Sequence, residues 1–150
     1  MKKTYLLSLV LFFINAFSFG SSTINSNVKD EYSSESDIIV EHLLDTEASW
    51  NQALLPVYIV GNPEIVIEKV IFQPGTQSLI HLHPIISAGV LLRGSLTITT
   101  DSGQVLHLQA GQAFTEVVNT WHYGKNEGNV PAELIFFHAS TDGVPITILK

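Results

Sequence analysis

The chain holds six histidines and no cysteine. Disulfides, thiolate zinc sites and cysteine nucleophiles are therefore excluded together, and imidazoles and carboxylates are the versatile groups that remain. His81 and His83 lie two apart in a stretch, 77–82, that reads as a strand. Side chains two apart on a strand share a face, so both rings can approach one ion from the same side. His122 sits in a second strand-like stretch, 121–125. Three neutral imidazoles without a thiolate hold zinc with one open position, or iron, manganese, nickel or copper with more. Open positions admit water or a small organic ligand. The expected cofactor is a divalent metal ion, its identity unresolved among those five.

The frame around these histidines is specific. Gly75 precedes His81 by six residues, Pro84 follows His83 directly, and Gly94 comes eleven after His83. Gly111 precedes His122 by eleven, and Asn126 follows it by four. In this the sequence resembles the cupins, whose first motif is G-x5-H-x-H-x3,4-E-x6-G and whose second is G-x5-P-x-G-x2-H-x3-N. Gly75, His81, His83 and Gly94 match the first, and Gly111, His122 and Asn126 the second. The stretch from Trp50 through Pro56 and Tyr58 to the His81-Leu82-His83-Pro84 block is similar to one group of small single-domain cupins without a settled activity. The resemblance implies an all-β fold, a single cupin-type β-barrel (a double-stranded β-helix, or jelly roll). It also implies a metal ion held by His81, His83 and His122.

Three positions depart from the pattern. The motif glutamate falls on Ser87, or on Ala88 in the longer spacing, and neither is a good ligand. The proline and inner glycine of the second motif are Val117 and Asn119. Glu116 offers a replacement for the missing carboxylate, as fourth ligand or catalytic base. It stands in the apolar run 113–118, where an unpartnered carboxylate is costly to bury. Its other reading is an exposed or salt-bridged strand residue, with Arg93 as a candidate partner. Gln73, Gln77 and Glu116 are candidates to fix the outer nitrogens of the ligating rings. His138 follows Leu134 and Phe136 on one strand face. It reaches the barrel cavity if that face lines it, and otherwise is a hydrogen-bonded structural histidine. His107 reads as a surface residue, His42 as solvated, and Trp50 as a packing anchor. Trp121 and Tyr123 should point away from His122.

These residues need a frame of short strands. From Val57 onward, alternating apolar runs are punctuated by Gly and Pro turns, the pattern of a sandwich or barrel. Strands are expected near 65–72, 77–82, 89–100 with a break at Gly94, 105–109, 113–118, 121–125, 132–138 and 144–149. The run 65–72 is apolar on both faces, as for a strand packed on each side. A short helix is possible within 38–54, where Ile39, Leu43, Leu44 and Leu54 recur before Pro56.

The N-terminus reads as an export leader, 1–20: Lys2-Lys3, an apolar run, then small residues at Gly20, Ser21 and Ser22. The run is shorter than the ~20 residues that span a bilayer comfortably. An acidic arm, 21–56, follows it, and the barrel takes 57–150. With a net charge of −7, and two of the seven Lys and Arg residues in the leader, no basic nucleic-acid-binding face is expected. The expected protein is exported to the periplasm or beyond, makes no membrane contact after cleavage and is a possible homodimer. Its function reads as metal-dependent chemistry on a small organic molecule, of dioxygenase, lyase or isomerase type. The other reading is a non-catalytic module that binds or senses a metal or small ligand.

Overall fold

The structure is a computed structural model that describes residues 39–150. The expected leader and the first part of the acidic arm lie outside the described residues. Nine strands occur among the described residues: β1 (Pro63–Phe72), β2 (His81–Leu82), β3 (Ile86–Arg93), β4 (Ser95–Thr100), β5 (Val105–Gln109), β6 (Ala113–Thr115), β7 (His122–Lys125), β8 (Ala132–Thr141) and β9 (Ile148–Leu149). They form two sheets, one ordered β1-β8-β3-β6 and the other β5-β4-β7-β2-β9. Every pairing between strands is antiparallel. This is the all-β barrel of cupin type that the sequence leads one to expect.

The inner faces of the two sheets meet in one core. Leu91, Leu134 and Phe136 from the first sheet pack against Leu96, Ile98 and Leu108 from the second. Phe114 meets Phe136 edge to face, with ring centroids 5.6 Å apart. Alternation along β4 buries Leu96, Ile98 and Thr100 and leaves the intervening residues half-exposed.

Gly94 makes the hinge between β3 and β4, with φ at +75°. A Cβ there would lie 2.6 Å from the Pro131 carbonyl oxygen. Glycine is required for both reasons, which is why the long β-branched run breaks where it does.

Two expectations are corrected. No helix occurs among the described residues of 38–54. Leu43, Leu44 and Leu54 are exposed, so a helix would have had no apolar face to bury. The segment makes a tight turn instead, with Gln52 at φ +71°. It docks on β6: Trp50 N donates to Thr115 O at 3.0 Å, and the Ser49 hydroxyl donates to Glu116 O at 2.8 Å. The run 65–72 is also not packed on both sides. β1 is an edge strand whose Val66, Val70 and Phe72 turn inward, while Ile65 (56% exposed) and Ile67 (67%) lie on the open face.

The expected last strand, 144–149, shrinks to Ile148–Leu149. Pro145 has no amide hydrogen to give to a ladder. The Ile146 carbonyl, left outside the ladder, accepts a bond from a histidine described below.

Gly94→Ala should lower folding stability by at least about 2 kcal/mol, through left-handed backbone strain and the clash with Pro131. Urea melts of the two proteins check this; equal midpoints would remove the hinge argument.

Candidate metal centre

β2 is only two residues long, yet it places two of the three histidines. His81 pairs directly across from His122 on β7. His83 follows just past the strand end, where it bridges to Val118 in parallel. The loop that carries Val118 is pinned by the Asn119 amide, which donates to the His83 carbonyl at 2.8 Å. Asn119 has φ +52°, a conformation that asparagine tolerates better than most residues. That explains its presence where the motif has glycine.

The three rings converge. Their centroids are 5.0 Å apart for His81 and His83, 4.5 Å for His81 and His122, and 5.4 Å for His83 and His122. One ligand atom from each lies within 4.8 Å of the others. Each Nδ1 faces a backbone carbonyl: Leu79 O at 2.7 Å for His81, Ile146 O at 2.8 Å for His83, and Thr120 O at 2.8 Å for His122. A carbonyl can only accept, so each Nδ1 carries the proton. Each Nε2 then offers its lone pair to the cluster. The outer partners are thus main-chain oxygens, and none of Gln73, Gln77 or Glu116 takes that part. Sequence reasoning missed them because a carbonyl is present at every residue and leaves no compositional trace.

Burial lowers all three imidazoles from their ordinary 6.5, His83 to about 4. At neutral pH the rings are uncharged, the state a metal ligand needs.

Glu116 is buried beside them, with Oε2 3.7 Å from His122 Nε2. Neither of these atoms has a hydrogen-bond partner among the described residues. Burial raises the Glu116 carboxyl to about 7, against the smaller pull of His81, the Val117 amide and the Trp50 indole. The alternative pairing with Arg93 does not occur, because Arg93 turns to Glu133, 3.4 Å away. Two buried, unpartnered polar atoms among three neutral imidazoles are the donor set that a divalent ion satisfies. The three histidines therefore fit a metal, and Glu116 lies beside His122 without belonging to the three-histidine group.

The cluster opens on a cavity of about 180 Å³ with apolar walls that include Val70, Phe72, Leu96 and Ile98. His138 lines this cavity, as the inward face of β8 requires, and donates or accepts at Ser87 Oγ over 2.8 Å. Ser87 is turned to His138 and does not belong to the three-histidine group. Glu68 at the rim was not singled out by sequence. Its signal is a lone acid among the inward residues Val66, Val70 and Phe72 of β1.

The remaining residues are placed simply. His107 is exposed and bonded to Thr97 Oγ1, and His42 is exposed. Asn126 is fully buried and staples its own loop, donating to Phe72 O and Val130 O and accepting from Gly128 N. Trp121 packs under the Lys150 ammonium, 5.6 Å from its ring centroid. Trp50 packs against the core, as an anchor should, and also sets its buried Nε1 toward Glu116.

A carboxyl whose folded value is raised favours the fold when protonated. That stability is present below 4.5 and is lost as pH rises through about 7. In metal-free protein, Glu116→Gln should therefore gain stability relative to wild type by roughly 2–3 kcal/mol between pH 4.5 and pH 8. Denaturant melts at the two pH values read this, and a pH-independent difference would contradict the burial.

No curated protein matches this sequence. The fold is similar to that of a mutant of Bacillus subtilis oxalate decarboxylase, at 21% identity and a TM-score of 0.50, covering 57% of this chain and 23% of that one. It is likewise similar to DMSP lyase DddQ from Ruegeria pomeroyi DSS-3, at 15% identity and a TM-score of 0.50, covering 57% and 43%. A conserved protein with a double-stranded beta-helix domain from Klebsiella pneumoniae subsp. pneumoniae is 21% identical with a TM-score of 0.48, covering 62% and 78%. This chain thus spans less than half the length of the decarboxylase and the lyase. Residues 68–138, the stretch that holds all three converging histidines, match the family model described as a cupin domain.

Proposed function

We propose that this chain is an exported member of the cupins that binds one divalent metal ion through His81, His83 and His122 and acts on a small organic molecule in the adjoining cavity. The observation that carries the reading is the carbonyl clamp on each Nδ1, which turns all three Nε2 lone pairs toward one place. Glu116 is the fourth ligand, or the base beside the ion, by virtue of its buried and unpartnered Oε2.

An ion there supplies Lewis-acid polarisation of a substrate oxygen, or redox chemistry if the metal is iron, manganese or copper. The chain's own residues do the rest. His81, His83 and His122 would hold the ion at the wall of the cavity. Val70, Phe72, Leu96 and Ile98 exclude water from the apolar body of the substrate. Glu116 Oε2 is placed to hold or accept a proton next to His122. A cavity of about 180 Å³ suits a small organic molecule.

A second reading is a binding or sensing module without turnover. Ser87 favours it, since the motif's carboxylate ligand is absent from that position. Oxalate decarboxylase and DMSP lyase, the proteins of similar fold, are enzymes on small molecules, which supports the first reading. Export rests on the leader pattern of 1–20.

The test is elemental analysis of protein purified without a tag or chelator. Wild type and His107→Ala should carry about one ion per chain, and His83→Ala should carry none. Equal metal content in the two variants would overturn the assignment.

A further inference from the structure

His138 is not one of the converging histidines, yet it is only 2% exposed and its Nε2 has no hydrogen-bond partner among the described residues. Its tautomer follows from its neighbour. Ser87 is fully buried, and its hydroxyl has one hydrogen-bond partner among the described residues, His138 Nδ1 at 2.8 Å. If Nδ1 donated, the serine proton would be left without an acceptor in the core. The hydroxyl therefore donates to Nδ1, and the imidazole proton resides on Nε2.

That N–H lines the cavity and faces Glu68 Oε2 at 3.4 Å, without the alignment of a hydrogen bond. Phe136 stacks on the ring, with centroids 5.8 Å apart and planes 20° apart, which holds its orientation. Glu68 sits at the rim with its side chain half-exposed. The cavity thus has two polar poles. One is the three-histidine cluster. The other is an N–H donor beside a carboxylate acceptor, with the His138 ring centroid 5.7 Å from that of His83.

A donor and an acceptor side by side suit a group that both accepts and donates. An alcohol hydroxyl does this: its oxygen accepts from Nε2–H while its proton goes to the Glu68 carboxylate. A bare carboxylate would be repelled by Glu68, and an alkyl group would leave both poles unsatisfied.

We propose that His138 and Glu68 form a hydroxyl-binding subsite, with Ser87 as its positioning residue, and that the cavity takes a small hydroxy acid. Placing that acid's carboxylate at His81, His83 and His122 rests on the metal reading above; the hydroxyl subsite does not. The position that holds a metal-binding glutamate in the cupin motif has been turned over to fixing a fourth cavity histidine.

The experiment uses the full chain labelled with ¹⁵N-histidine, with and without zinc, titrated with 3-hydroxypropanoate or propionate and read by NMR. His138 should carry its proton on Nε2 in the free protein; a proton on Nδ1 would overturn the role of Ser87. In zinc-loaded protein, 3-hydroxypropanoate should bind at least about tenfold tighter than propionate and should move the His138 Nε2 resonance. Glu68→Ala, a rim substitution that leaves the core untouched, should bring the two affinities together. Equal affinities in wild type would overturn the subsite. So would a preference that survives in Glu68→Ala, since it would come from chelation by the ion alone. If the protein takes up no zinc, the metal reading fails by itself. The subsite is then decided in the zinc-free protein, where a His138 Nε2 shift specific to the hydroxylated probe supports it and no such shift overturns it.

Discussion

Three N–H···O=C bonds, each from an imidazole Nδ1 to a main-chain oxygen, govern the centre of this protein. They set the tautomer of each ring and, together with the short β2–β7 pairing, its direction. That constraint decides which nitrogen is free and where the lone pairs meet, while burial, acting against these bonds, keeps the rings neutral. Two of the carbonyls, those of Leu79 and Thr120, belong to residues two before the histidines they hold. The third, from Ile146, crosses from the far end of the chain.

The apolar core beneath gives those bonds their rigidity. Leu91, Leu96, Ile98 and Leu134 join the two sheets from within. Polar residues then line the inner face beyond that layer: His122, His138, Glu116 and Ser87, all nearly inaccessible. Buried polar groups in this number are costly unless satisfied. Ser87 and His138 satisfy each other in part, whereas Glu116 and His122 do not. The unpartnered atoms of the inner face fall at two places, Glu116 Oε2 and His122 Nε2 at the histidine cluster and His138 Nε2 across the cavity from it.

Much of this was legible in the residues. His81 and His83, two apart beside Pro84, and His122 between Gly111 and Asn126 announced both the barrel and the cluster. Glu116 was legible as an acid out of place in an apolar run, and its burial next to His122 is the physical content of that oddity. The helix expected near Leu43 and Leu44 failed because periodicity says nothing of how well a face is covered; both leucines are exposed. β1 misled in a similar way, since its two apolar faces reflect composition and not cover. The link between Ser87 and His138 was beyond reach of the sequence, because 51 positions separate them and only the register of β3 on β8 sets them side by side.

The docking of 46–55 onto β6 has a consequence for how the protein divides. The stretch that matches the cupin family model, 68–138, excludes Ser49 and Trp50, which cover Glu116, and Ile146, which orients His83. The unit of likeness is therefore smaller than the unit of chemistry. A fragment trimmed to the family boundary would keep the three histidines yet lose the roof over the carboxylate and one of the three clamps. In a lineage of such barrels, change in the flanking segments is then a route to altering reactivity while every motif residue stays the same.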